Sequence, residues 1–382
     1  MKISTLVVGG GIGGLSLARE LAVRGLPVTV LERAPQLNPV GAGIIMNPNA
    51  MRVLERNGLA AAVREDAWPY LARETRDRRG RLLAVRDYRP LYDAGKLATG
   101  ALVHRAHLLD VLYRSLPPQT VHFGVAVTGI DLRPDRVSVR TERHGSFEAG
   151  LLVGADGIRS QVRRRMFGEV RPLYMGYRSH RMVVDNGAGI RCFTELMGRG
   201  QRIGLVPLSP ERLYVWTTFN SPQDRPPALD SAEDFRGLFG QFSDARVRQV
   251  LSGVRSAQEV ITTEIEELRL DRWVQGRAVL LGDAVHAMTP NIGQGAGMAM
   301  EDAAVLAEEL AGASGLETAL EGYVRRRKPR VASVMAISRE VGVDGQASNP
   351  VSCWLRNRRL RREARDVEKT HADLERLLAY PV

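Results

Sequence analysis

Three glycines near the amino terminus have the spacing of a phosphate cradle. In Thr5-Leu-Val-Val-Gly-Gly-Gly-Ile-Gly-Gly14, residues Gly9, Gly11 and Gly14 fall on the G-x-G-x-x-G pattern. The first glycine permits a tight turn. The second lets backbone approach a pyrophosphate, and the third lets a helix pack on a strand. Unpaired N–H groups at the helix start, together with the helix dipole, favour an anion there. Glu32 lies 18 residues after Gly14, where a carboxylate can accept from a ribose hydroxyl. The chemistry implied is dinucleotide binding.

Two further motifs place Gly and Asp where apolar runs end. They are Leu152-Val-Gly-Ala-Asp-Gly157 and Leu280-Leu-Gly-Asp-Ala-Val-His286. Open α/β sheets bind ligands at such carboxyl edges. Asp283 there can accept from a ribose or ribityl hydroxyl. The Gly293-Gln-Gly-Ala-Gly297 loop then opens a helix whose positive end suits an anionic reduced flavin.

These motifs need strands and helices to hold them. Leu6–Val8 reads as a buried strand, Leu15–Arg24 as a helix and Val28–Leu31 as a second strand. One helix is expected around Ala50–Arg64 and a hairpin within 76–97, turning at Arg78-Arg-Gly80. Leu108–Leu116 reads as a helix, and Val121–Ile130, Val137–Thr141 and Leu151–Val153 read as strands. From about 171 to 265 alternation dominates (Met182–Val184, Arg202–Val206, Leu213–Phe219), followed by one helical piece over Ala232–Leu251. Arg277–Leu281 returns as a buried strand, Ala296–Ala311 as a long helix, and the tail as helix. The order predicts a dinucleotide domain interrupted by a sheet-rich insertion and then completed.

The chain has 382 residues, 44% hydrophobic and 25% charged, which is enough for two domains and a large core. Its two cysteines, Cys192 and Cys353, make neither a disulfide framework nor a zinc site. No metal is expected. Lys2 leads directly into the first strand, and no apolar stretch reaches the roughly 20 residues of a membrane span, so a cytoplasmic protein is expected. The net charge of +11 is concentrated at Arg163–Arg165, Arg325–Lys328 and Arg356–Arg365. The segment Trp354–Arg362 has two readings: peripheral contact with an anionic membrane through a basic tail, or a solvated helix face. Nucleic acid is not an expected partner, for lack of aromatic interleaving.

With its three ordered motifs, the chain resembles the single-component FAD-dependent aromatic hydroxylases of the para-hydroxybenzoate hydroxylase type over about residues 1–345. In texture it is most similar to the 2-alkyl-4-quinolone 3-hydroxylases, through Arg159-Ser160, Val162-Arg-Arg164, His286–Asn291 and Trp354–Asn357, and then to salicylate and urate hydroxylases. The resemblance implies an α/β fold: a Rossmann-like FAD-binding domain (1–75, 98–170, 265–345) interrupted by a sheet-rich substrate domain (76–97, 171–264), with a helical tail (346–382). It implies that Gly11, Gly13, Gly14, Glu32 and Arg33 meet the adenosine half of FAD, and that Val127 meets adenine through its backbone. Ile45 packs near the flavin, and Arg105 and Asp283 hold the ribityl or pyrophosphate part. Asp156 belongs to a motif serving both FAD and NAD(P)H. Pro290, Gly293, Gly295, Ala296 and Gly297 line the flavin ring.

The resemblance also implies the reaction. NAD(P)H reduces FAD, O2 adds at flavin carbon 4a, and the hydroperoxide hydroxylates an apolar aromatic or heteroaromatic substrate, such as a quinolone. Arg202 and Tyr214 stand where urate hydroxylases carry substrate-interacting residues. Asn291 replaces an acid of those enzymes, which argues against urate and leaves an amide to orient a substrate carbonyl or N–H. Tyr214, His180 and His104 remain as acid–base candidates, and His286 reads as a packed loop residue. Met46, Met182, Met197, Met288 and Met298 could form an adaptable pocket or fill the core. Alternative readings are a monocyclic phenol or salicylate hydroxylase, and an FAD-dependent oxidase or reductase of a lipid-like substrate.

Overall fold

A computed structural model describes residues 3–37, 42–227 and 229–381. Its centre is a six-stranded sheet ordered Val274–Gln275, Ala278–Leu280, Leu151–Gly154, Thr5–Val8, Val28–Glu32 and Val121–Phe123. The five strands from Ala278–Leu280 onward pair in parallel. The other two motif-bearing strands follow on one side of the first: Thr5–Val8 sits beside Leu151–Gly154, which pairs with Ala278–Leu280. The three motifs therefore emerge side by side from one sheet edge. The strands are apolar along their length because helices cover both faces of a parallel sheet. Val7, Val30, Leu152, Val153 and Val279 are buried in one core with Leu17, Leu21, Leu306 and Tyr323 from the helices.

A seven-stranded sheet stands against this unit, ordered Ile261–Glu267, Leu173–Asp185, Arg212–Asn220, Gln201–Pro207, Phe193–Met197, Ala72–Asp77 and Leu82–Asp87. Its register sorts the side chains by alternation. Arg202 pairs with Thr218, and Val206 with Tyr214, so these turn to one face. His180 pairs with Thr217 and turns to the other. That outer face packs Ile203, Leu205 and Val215 on Phe235, Phe239 and Phe242. The hairpin expected near Arg78–Gly80 is present, with Gly80 at φ +81.

Three expected elements are corrected. The helix over Ala50–Arg64 is two helices, Pro48–Arg56 and Ala60–Glu65, because Asn57-Gly58 ends the first with Gly58 at φ +71. The strand Val121–Ile130 breaks into Val121–Phe123 and Val127–Leu132 at Gly124, φ +70. The helical piece Ala232–Leu251 is Ala232–Leu238 and Ala245–Ser252, the second begun by Asp244 accepting from the Arg246 N–H. The methionines form no common pocket: Met46, Met182 and Met298 fill three separate cores. The tail is the helices Leu316–Gly345, Pro350–Glu363 and Val367–Leu378. Among the described residues, no helix is long and apolar enough to cross a membrane.

Candidate active site

The glycine turn is shaped by close backbone approach. Gly9 sits at φ +111, and a Cβ there would lie 2.4 Å from the Ala155 carbonyl oxygen. A Cβ on Gly14 would lie 1.9 Å from the Gly9 oxygen, and one on Gly13 would lie 2.7 Å from Leu281. A Cβ on Gly11 would meet nothing within 4 Å. Gly11 starts the helix Ile12–Val23, and no side chain caps it. Its orphan N–H groups thus face open space, as a pyrophosphate requires. Glu32 accepts from the Gly10 N–H at 2.6 Å and the Ala34 N–H at 2.8 Å, so the acid fixes the turn. The Glu32 and Ala34 carbonyls accept from Val125 and Gly124, which brings the strand bearing half-buried Val127 alongside. Arg33 is exposed beside it.

The second helix start has the same character. Gly295–Gly312 has no side-chain cap, and a Cβ on Gly295 would meet nothing within 4 Å. The loop before it is tied down: Asn47 donates to the Gly293 oxygen at 2.8 Å, and Asn49 to the Gln294 oxygen at 2.9 Å and to Glu301 at 2.7 Å. Gly293 is left-handed at φ +64, and a Cβ there would lie 3.7 Å from Ile45. Ala296 is half-buried behind it, and a Cβ on Gly297 would lie 2.8 Å from the Asn49 amide. Pro290 is exposed ahead of this loop.

Asp283 begins the short helix Asp283–His286 directly after its buried strand. Its surface is open, yet the protein encloses it closely enough for burial to push its carboxyl up, against the pull of His286, Arg105 and Arg181. Burial pulls Arg105 down, Arg181 adds to this, and Asp283 and Glu32 oppose it. Arg105, Arg181, Asp283 and Glu32 therefore share one electrostatic environment. Arg181 is missing from the residues expected from sequence. It pairs with Trp216 two places from the Tyr214 pair, so strand alternation alone could have found it. Two uncapped glycine-rich helix starts, with Glu32 and Asp283 each at the end of a strand of the same sheet, fit FAD.

Asp156 is placed differently from a simple cofactor ligand. Its carboxylate accepts from the Ser160 hydroxyl at 2.5 Å and from the Gln161 and Val162 N–H groups at 2.7 and 3.2 Å, starting the helix Gln161–Phe167. Beside it lies a cavity of about 410 Å³ lined by Arg159, Arg164 and Arg171.

On the sheet side, Tyr214 packs against Gly43, where a Cβ would lie 2.5 Å from its ring. Burial raises its hydroxyl pKa, and Arg181 opposes this. Arg202, expected at the substrate, is tied into the protein itself. It is 1% exposed and donates to Asn291 at 2.5 Å, to Gln346 at 3.1 Å and to Thr218 at 3.3 Å. It also pairs with Glu195 at 3.5 Å and lies over Trp216. Arg73 pairs with Glu195 as well. Burial opposes ionisation of Glu195, but Arg73 and Arg202 outweigh it and hold the carboxyl low.

Asn291 is also corrected. Its oxygen takes Arg202, and its amide nitrogen donates to the Tyr177 hydroxyl at 3.0 Å and the Ser338 oxygen at 2.9 Å. The amide is saturated by protein and orients no substrate group in this arrangement. A cavity of about 610 Å³, lined by Tyr174, Met175, Tyr177, Pro222 and Val343, reaches Asn291.

Of the histidines, His180 stands away from this chemistry. His180 lies on the outer face, stacked on Phe219 with Thr262 on Nδ1, and burial pulls it down to about 4. His104 accepts from the Ala106 N–H at a helix start. His286 bonds Asp302 at 2.6 Å, and Asp302 also takes Arg327 and the Gly282 N–H. Burial pushes Asp302 up, but His286 and Arg327 outweigh this and hold it near 2. Arg327 and Arg330 reach Glu301 and lie over Tyr380 of the tail.

Residues 2–338 match the FAD binding domain family. The chain is 35% identical over 370 residues to an aurachin C monooxygenase/isomerase of Stigmatella aurantiaca, covering 95% of each. It is 31% identical over 361 residues to a 2-heptyl-3-hydroxy-4(1H)-quinolone synthase of Pseudomonas aeruginosa, covering 93% of each. Klebsiella pneumoniae HpxO, solved with FAD and uric acid, superimposes with a TM-score of 0.89 at 26% identity, covering 99% of this chain and 97% of that one. The glycine cradle, the paired helix starts and these likenesses agree: the chain belongs to the FAD-binding-domain family and is an FAD-dependent monooxygenase of the aromatic hydroxylase type.

Proposed function

We propose that this monooxygenase hydroxylates an apolar heteroaromatic ring of the 4-quinolone type. One observation carries the reading: the polar wall of the site offers no free base. Asn291 is uncharged and saturated, and Glu195 is held between Arg73 and Arg202. Tyr214 is held protonated by burial, so it donates rather than abstracts. A site of this kind suits a ring that is electron-rich without losing a proton. In a 4-quinolone the ring nitrogen feeds carbon 3 directly. A phenol gains most of its reactivity on deprotonation, which calls for a base. The relatives named for aurachin and heptylquinolone chemistry support the same class.

Bound FAD supplies electron transfer from NAD(P)H and insertion of one oxygen atom from O2. The chain's own part is binding and exclusion. Gly11 to Gly14, Glu32 and Arg33 hold the adenosine half, with the Val127 backbone at adenine. Arg105 and Asp283 hold the ribityl–pyrophosphate part. Ile45, Pro290, Gly293, Gly295, Ala296 and Gly297 enclose the ring. Arg159, Arg164 and Arg171 offer NAD(P)H phosphates a basic cavity beside Asp156. Arg202 holds Asn291, and Tyr214 offers its hydroxyl to the substrate. Two free thiols and dependence on NAD(P)H suit the cytoplasm.

The test supplies the FAD-loaded protein with NAD(P)H, labelled O2 and a panel of salicylate, urate, indole and 2-alkyl-4-quinolones. One labelled oxygen in a quinolone product is expected. Preferred hydroxylation of salicylate would overturn the substrate class. Turnover without label would overturn oxygen insertion in favour of an oxidase or reductase.

A further inference from the structure

Thirteen large apolar residues are exposed on the described surface, and four of them fall within 343–355: Val343 at 69%, Val351 at 65%, Trp354 at 57% and Leu355 at 53%. Three belong to the helix Pro350–Glu363. On a helix, positions 351, 354, 355, 358 and 362 share one stripe. The opposite stripe is buried, through Cys353 and Arg356, which donates to the Gly198 oxygen at 3.0 Å. The outward stripe thus begins with Val351, Trp354 and Leu355 and continues into Arg358 and Arg362. Arg361 and Arg365 are exposed beside it. Arg359 spends its charge on Asp344 and Glu363. Arg358, Arg361, Arg362 and Arg365 have no carboxylate partner among the described residues, and Arg358 lies over the Trp354 ring.

We propose that this stripe docks the enzyme on an anionic lipid bilayer. Contiguous exposed apolar side chains mark an interaction surface. Here they are the types that enter the acyl boundary, flanked by unpaired cations that suit anionic headgroups. A tryptophan at the margin suits the interfacial layer. A second copy of the chain is a poor occupant. A two-fold contact sets each patch against itself and brings four unpaired arginines onto their own images. A nucleic acid would satisfy the arginines but leave Val351 and Leu355 in water.

The placement has a further consequence, which rests on the proposed substrate class. The helix begins four residues after Gln346, which lines the 610 Å³ cavity reaching Asn291. Val343 belongs to both the cavity wall and the exposed patch, and exposed Leu173 precedes the lining residue Tyr174. Docking by this stripe brings the cavity mouth to the bilayer, where an alkylated aromatic partitions.

The test floats the FAD-loaded protein with vesicles of phosphatidylcholine alone or mixed with phosphatidylglycerol. Binding to the mixed vesicles only is expected, with loss at high salt. Trp354→Ser with Leu355→Ser should weaken it by roughly tenfold or more. Arg358→Gln with Arg362→Gln should weaken it about thirtyfold. Both variants should keep their flavin, melting temperature and turnover of substrate in free solution. Failure to float, equal binding to uncharged vesicles, or variants that float like the parent would overturn the proposal. So would a dimer dispersed by Trp354→Ser, which assigns the patch to a second copy. Oligonucleotide binding in place of flotation would assign it to nucleic acid. Flotation is read without substrate, so its failure is distinct from failure of the quinolone reading.

Discussion

Replacing Arg202 by Met tests whether the buried guanidinium sets the geometry of the substrate wall. The change keeps an unbranched, apolar filler over Trp216 but removes every donor. Asn291 then keeps only Tyr177 and Ser338 as partners, and Glu195 keeps only Arg73. Removing one member of a buried ion pair costs about 3–5 kcal/mol. Arg73 still neutralises Glu195, so the lower end, about 3 kcal/mol, applies. For a chain of 382 residues that loss lowers the melting temperature by roughly 4 °C, taking about 2 cal/mol/K of unfolding entropy per residue. The larger effect should be on reaction. Asn291 adjoins Pro290 in the loop leading to Gly293–Gly297, and a displacement of about 1 Å there costs roughly a hundredfold in coupled turnover. The glycine cradle lies on the other sheet, so FAD content should stay at the parent level. The assay measures flavin per chain, thermal melting, NAD(P)H consumption and peroxide release, with Arg202→Lys alongside. Lysine restores the charge but not the planar fork, so it should recover melting temperature more than coupling. Parent-level coupling in Arg202→Met with flavin bound would refute a positioning role.

Three other perturbations separate cofactor, substrate and core. Asp283→Ala should lose FAD during gel filtration, and retention equal to the parent would remove Asp283 from the cofactor site. Tyr214→Phe should leave melting unchanged within about 0.5 kcal/mol, because its hydroxyl has no hydrogen-bond partner among the described residues, yet should raise the peroxide released per NAD(P)H. A large fall in melting temperature would show the hydroxyl to be structural. His180 is held down to about 4 by burial and then by Arg178, so the unfolded chain binds its proton first. Stability should fall as pH drops from 6.5 to about 4, by about 3 kcal/mol in total, with no contribution above that window. Denaturant titration of His180→Gln should show a flatter profile there, and an unchanged slope would assign it elsewhere.

The cofactor side was legible because it is local. Gly9, Gly11, Gly14 and Glu32 sit within one strand–turn–helix–strand unit, and Asp283 follows its own buried strand. The substrate wall was not, because its contacts are remote in the chain. Arg73 and Glu195 are 122 residues apart, and Arg202 and Gln346 are 144 apart. No periodicity announces such pairs, so Arg202 read as a ligand-facing cation when it is a buried brace. Glu195, in the strand Phe193–Met197, carried no spacing signal of its own. His180 read as a base candidate because the face it takes depends on a register that only pairing with Thr217 settles. The broken helices were a different kind of miss. Asn57-Gly58 and Asp244 are stop and start signals, passed over in favour of a continuous apolar pattern.

The two faces of the seven-stranded sheet divide labour in a way that bears on evolvability. Positions 202, 204, 206, 214, 216 and 218 turn inward, while 203, 205, 213, 215 and 219 are fastened into the phenylalanine core. Arg202 is fixed within the inward set, since its brace spans both sheets' loops. Val206 and Tyr214 pack in a second core with Tyr70, Leu91 and Phe193, and a Cβ on Gly204 would lie 2.0 Å from the Trp216 ring. A combinatorial library that holds Gly204 and Val206 and varies half-buried Trp216 would explore new acceptors for the same oxygen-transfer machinery at the least cost in folding yield. Natural drift in substrate range can follow the same alternation.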